Sequence, residues 1–123
     1  MDFRQQIESK LYSAGLTCEV VLNFKIMSKN LGLEEDEYLE LVELFIETSK
    51  SDLKNLQSAI NNKDMEMIAG IAHSLKGAAM NLGLEEFLGL AKMIEKTARD
   101  GELEETAKTA EIFQEKLDNS GDL

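Results

Sequence analysis

The sequence predicts an all-α protein: an antiparallel up-down four-helix bundle with additional N-terminal helices. Three observations predict it. Proline is absent, so the strongest helix breaker is missing from every segment. Hydrophobic residues make up 43% of the 123, enough to fill a core. Apolar residues recur at three- and four-residue spacing along most of the chain, the period of a helix with one buried face.

The elements follow in order. A first helical stretch covers residues 3–14, and Gly15 is suited to cap its C-terminus. Thr17 can cap a second stretch near 18–30, where Val20, Val21, Phe24 and Met27 form the apolar side and Cys18 reads as a small core residue. "NLG" at 30–32 breaks it. The third stretch, 35–61, is the longest; Tyr38, Leu41, Val42, Phe45, Ser49, Leu53, Leu56 and Ile60 follow its helical spacing. Its N-terminus is acidic ("EEDE"), which suits the helix dipole. "NNKD" turns the chain, and Asp64 can cap a fourth stretch, 65–82. Gly83 ends that helix. A fifth stretch, 84–99, presents Leu84, Phe87, Leu88, Ala91, Ile94 and Ala98, and closes at Gly101. A sixth, 103–118, presents Leu103, Ala107, Ala110, Phe113 and Leu117. Short connections make consecutive helices antiparallel, so the last four stretches form the bundle. The implied organisation is an N-terminal helical extension over 1–32 packed on the bundle, the bundle itself over 33–118, and a frayed tail over 119–123.

The net charge of −11 argues against a nucleic-acid binder, which needs a basic stripe to neutralise phosphates. It argues equally against docking on an anionic membrane. No apolar run approaches the roughly 20 residues of a bilayer span, and "MDFRQQIESK" lacks the apolar centre of a secretion signal. A single cysteine fits a reducing, cytoplasmic setting. A monomer is expected.

The fourth stretch holds the one histidine, His73. Ile68, Ile71, Ala72, Leu75, Ala79 and Leu82 share its apolar face. His73 falls nearly opposite, with Ala69, Gly70, Lys76, Gly77 and Met80. Glycine costs a helix interior roughly 1 kcal/mol relative to alanine, yet Gly70 and Gly77 border the histidine one turn away on either side. Together with Ala69 they clear the approach to the ring, and Met80 adds an apolar contact. Ala69, Gly70, Gly77 and Met80 are therefore candidate partner-docking residues. Lys76 supplies a positive charge where an anion on the ring nitrogen would sit. A lone histidine cannot hold a metal, so no metal site is expected, and no phosphate-binding glycine loop precedes a helix. Met65, Met67 and Met93 read as packing residues.

"AHSLKGAAMNLG" resembles the signature of histidine phosphotransfer (HPt) domains, His-x-Leu-Lys-Gly-small-small with a glycine shortly after; His73, Leu75, Lys76, Gly77, Ala78, Ala79 and Gly83 carry it. "YLELVELFIETSKSDLKNLQSAI" and "LEEFLGLAKMIEKTARDGE" resemble the family's neighbouring helices, and the similarity spans roughly residues 33 to 118. The resemblance implies a phosphorelay carrier without kinase activity of its own. His73 would accept a phosphoryl group from a receiver-domain aspartate and pass it to another receiver. Lys76 would stabilise the phosphoryl charge. No cofactor would be bound by this chain, Mg²⁺ being expected on the partner receiver. Partners would be response-regulator receiver domains and a histidine kinase or hybrid kinase. The same residues leave two alternatives: the phosphorylatable domain of a chemotaxis-type histidine kinase, and a helical adaptor whose histidine is incidental.

Overall fold

The computed structural model describes Ile26 and residues 28–119. The expected helices over 3–14 and 18–30, their caps at Gly15 and Thr17, and Cys18 lie outside the described residues, apart from Ile26 and residues 28–30, which are helical. So do residues 120–123. Four long helices follow: α1 (Glu35–Asn61), α2 (Met65–Leu82), α3 (Glu85–Arg99) and α4 (Leu103–Asn119). The described residues contain no strand. Each helix packs chiefly on its two neighbours in a ring, α1 on α2, α2 on α3, α3 on α4 and α4 on α1. The α2–α3 contact is the most extensive.

The helices start and stop where local chemistry dictates. The Glu37 carboxylate accepts from the Glu34 N–H at 3.1 Å, satisfying one donor that the start of α1 would leave free. Asp64 does the same for α2, accepting from the Met67 N–H at 3.1 Å. Each connection between helices then closes with the same pair of backbone bonds. After α2, the Gly83 N–H reaches the Met80 carbonyl and the Leu84 N–H reaches that of Ala79, with Gly83 left-handed at φ 71°. Asp100–Glu102 repeats this after α3, and Ser28–Leu33 before α1. After α1 the left-handed residue is Lys63, at φ 56°, where glycine would be unstrained.

The core is apolar and continuous. The rings of Phe45, Phe87 and Phe113 come from α1, α3 and α4; Phe87 lies 5.4 Å from the first and 5.2 Å from the third, tilted on both. Leu56, Ile68, Leu75, Ile94 and Leu117 are fully buried around them. The side chain of Tyr38 is buried with its hydroxyl donating to the Leu82 carbonyl, tying the start of α1 to the end of α2. Burial pushes its phenol up to about 12.

Some expected core positions move. Leu41 is 40% exposed, while Leu39 and Ile46 are buried. The reason is that α1 faces both α2 and α4, so its covered face is wider than a single stripe and turned away from Leu41. Ile71 and Leu82 are only partly buried. Leu84 precedes α3 as its N-cap residue instead of starting the helix, but it is buried as expected. Met67 and Met93 are exposed, contrary to a packing role. Thr97 and Thr106 are buried polar residues whose hydroxyls meet at 2.8 Å between α3 and α4.

Candidate histidine site

His73 sits mid-way along α2 with its side chain 64% exposed. Small residues line the seam beneath it: Ala69 and Ala72 on α2, Ala91 and Ala98 on α3, all buried. Small side chains let two helix backbones approach closely. That approach brings Glu95 of α3 within reach of α2. The Glu95 Oε2 lies 2.8 Å from His73 Nδ1, and its Oε1 accepts from Lys76 Nζ at 2.9 Å. Arg99, one turn further along α3, adds a cation 3.7 Å from Oε2.

Glu95 is therefore the organising group, its side chain only 14% exposed. The Lys76 hydrogen bond holds its carboxyl below the usual carboxylate range, helped by His73 and by the charges of Lys76 and Arg99, against the opposing effect of burial. An ionised carboxylate only accepts hydrogen bonds. Nδ1 of His73 must then carry the ring proton, and in the neutral ring Nε2 keeps its lone pair. Nε2 has no protein partner among the described residues. The arrangement presents one outward-facing nucleophilic nitrogen on a ring anchored through the other.

The remaining expected residues divide. Met80 is 53% exposed, and Gly70 is exposed beside His73. Gly77 is half-buried, yet a Cβ at either Gly70 or Gly77 would meet nothing within 4 Å. Neither glycine is demanded by packing. Ala69 is a correction: it is 9% exposed and belongs to the core, because α3 covers that side of α2 more fully than the periodicity of α2 alone implies. Lys76 is less open than its face suggested, at 22% side-chain exposure, since its stem lies along α3 to reach Glu95.

Glu95 is the residue that sequence reasoning left unnamed. A signal existed. In an antiparallel hairpin, residues equally far from the turn face each other, and His73 and Glu95 are equidistant from Leu84 along the chain. No group of three or more metal-ligating side chains occurs among the described residues. No described helix is long and apolar enough to cross a membrane.

A family model described as "Hpt domain" matches residues 40–122. Comparisons with curated proteins and with solved structures give no match.

Proposed function

Because this chain belongs to the Hpt domain family, whose members work with kinases and receiver domains in phosphorelays, we propose that His73 is its phosphoryl acceptor. In this reading it takes the group from a receiver aspartate and gives it to another receiver. The observation that carries the reading is the tether of His73 Nδ1 to Glu95, which leaves Nε2 as the nucleophile.

The transfer balances without an external acid or base. The Nε2 lone pair attacks the phosphorus of the aspartyl phosphate. The bond from phosphorus to the aspartate oxygen breaks, and that oxygen leaves with the electron pair as a carboxylate. The ring becomes a phosphoimidazolium, its positive charge facing Glu95 across the Nδ1–H bond. In the second transfer a new aspartate attacks the phosphorus, and Nε2 departs with its electrons as a neutral ring. Phosphoryl transfer needs positioning and charge stabilisation more than covalent help from the protein. Glu95 supplies the first to His73. Lys76 supplies the second, since its ammonium has three donors and Glu95 Oε1 engages one. Gly70, Gly77 and Met80 form the surface on which the receiver sits. Mg²⁺ stays with the receiver, the carrier itself is not an enzyme, and its setting is cytoplasmic.

The test is phosphoryl transfer from a labelled, phosphorylated receiver in Mg²⁺. Wild-type protein should acquire acid-labile, base-stable label. His73→Gln should acquire none while keeping its helical circular dichroism, because an exposed side chain contributes little to the fold. Label on the variant would assign the acceptor elsewhere.

A further inference from the structure

We propose that Met80 is a redox modification site: a peroxide converts its thioether to the sulfoxide, and the sulfoxide slows transfer between a receiver and His73. The inference rests on the reading of His73 as the phosphoryl acceptor. Among the described residues three methionines are exposed, Met67 and Met80 at 53% and Met93 at 50%. The burial that would shield a thioether from an oxidant in water is missing at all three. Their positions differ. Met80 lies seven residues beyond His73, about 10 Å along α2 and within about 20° of the same face. A methionine on a helix leans over the turn before it, and for Met80 that turn holds Lys76 and Gly77. A Cβ at Gly77 would meet nothing within 4 Å. The thioether therefore borders an open strip that runs to the imidazole. Met67 lies about 120° around α2 from His73. Met93 shares its side of α3 with Glu86 and Thr97, which bond to Lys116 and Thr106 of α4. Neither belongs to the histidine face.

Oxidation changes this face in two ways. A sulfur lone pair attacks one oxygen of hydrogen peroxide. The O–O bond breaks, the S–O bond forms, and the departing oxygen takes the hydroxyl proton and leaves as water. Sulfur loses two electrons and the peroxide gains them. The side chain becomes polar where it was apolar. A receiver that seats over Gly77 then loses an apolar contact and has to strip water from the sulfoxide oxygen. That oxygen is also a hydrogen-bond acceptor one helical turn from Lys76. Lys76 has three donors, and Glu95 Oε1 engages one. A donor drawn to the sulfoxide is lost to the phosphoryl oxygens. A dithiol reductant reverses the step, forming its disulfide and water, so the modification works as a switch.

The experiment treats the full chain with hydrogen peroxide and removes the excess with catalase. Peptide mass spectrometry locates each sulfoxide, and transfer is measured from a labelled, phosphorylated receiver. Met67, Met80 and Met93 should each gain one oxygen while the helical circular dichroism holds, because all three are exposed. Transfer to the treated wild type should fall at least about fivefold, and methionine sulfoxide reductase with a dithiol should restore it. Met80→Leu should transfer at the same rate before and after treatment. It keeps Met67, Met93 and Cys18 as targets and lacks only the thioether beside Gly77. Met67→Leu/Met93→Leu should be as sensitive to peroxide as wild type. Three results would each overturn the proposal: a loss of transfer in treated Met80→Leu, an unchanged rate in wild type carrying Met80 sulfoxide, or a Met80 that resists oxidation while Met67 and Met93 react. Untreated wild type that takes no label would overturn the reading of His73 itself, and this proposal with it.

Discussion

At the scale of single residues, Glu95 decides what His73 can be. Glu95→Gln keeps an acceptor near Nδ1 but removes the charge facing the phosphorylated ring. Charge-assisted hydrogen bonds are about twice as strong as neutral ones. Phosphoryl acceptance should therefore fall about tenfold, the equivalent of about 1.4 kcal/mol in the barrier. An unchanged rate would reduce Glu95 to a partner of Lys76 alone. The same carboxyl predicts a pH effect. Its native pKa lies below the ordinary value of about 4.3, so the stability it adds is full above that pH and disappears as pH falls through the lower native value. The melting-temperature difference between wild type and Glu95→Gln should accordingly be constant at neutral pH and shrink in acid below about pH 4. Growth of the difference on acidification would contradict the ion-pair geometry. Gly77 offers an opposed pair of outcomes. With nothing within 4 Å of an added Cβ, Gly77→Gln should melt at the same or a higher temperature. If receivers seat over this face, the long side chain should nevertheless slow transfer from a receiver at least about tenfold, a block worth 1.4 kcal/mol or more. A wild-type rate would remove Gly77 from the docking surface.

At the scale of elements, the turns carry the prediction. Four helix ends close with the same backbone bonds, and glycine holds the left-handed position in three of them; Lys63 holds the fourth. A residue with a Cβ is strained there by roughly 1–2 kcal/mol. Lys63→Gly should therefore stabilise the protein by about 0.5–1 kcal/mol after the added entropy of the unfolded chain is offset, and Gly83→Ala should destabilise it by about 1 kcal/mol or more. Denaturant unfolding of both variants measures the pair. The Gly83 turn matters twice, because it also sets the register of α2 against α3. A shift there would carry Glu95 past His73, so Gly83→Ala is expected to depress transfer as well as stability.

At the scale of the molecule, charge is unevenly spread. Acidic residues dominate α1 and α4, whereas α2 and α3 carry acids and bases in near balance. The site with its Lys76 and Arg99 thus stands on the less acidic side. The net charge of −11 repels itself in the compact state. Exposed pairs such as Lys108 with Glu104 add little to offset this. Screening over a Debye length of about 10 Å at 0.1 M salt should relieve the repulsion. The melting temperature should rise between about 10 mM and 0.5 M sodium chloride, where the screening length shrinks severalfold. A fall would mean that specific ion pairs outweigh the net charge.

The sequence by itself determined the helices, their ends and their order, because these depend on interactions between residues near in the chain. Periodicity located α1 to α4, Asp64 and Gly83 marked the borders of α2, and the absence of proline removed competing breaks. It also determined that His73 stands off the apolar face with room around it, since one helix's own geometry fixes that. Tertiary structure decided the rest. Whether Ala69 is exposed or covered, and which side of Leu41 faces solvent, depends on how many neighbours a helix has. The same holds for the chemistry of the ring. Nothing on α2 specifies which nitrogen of His73 carries the proton. That follows from a carboxylate on α3, brought close by small residues in a seam and aligned by a turn at Gly83, and it exists only once two helices have packed.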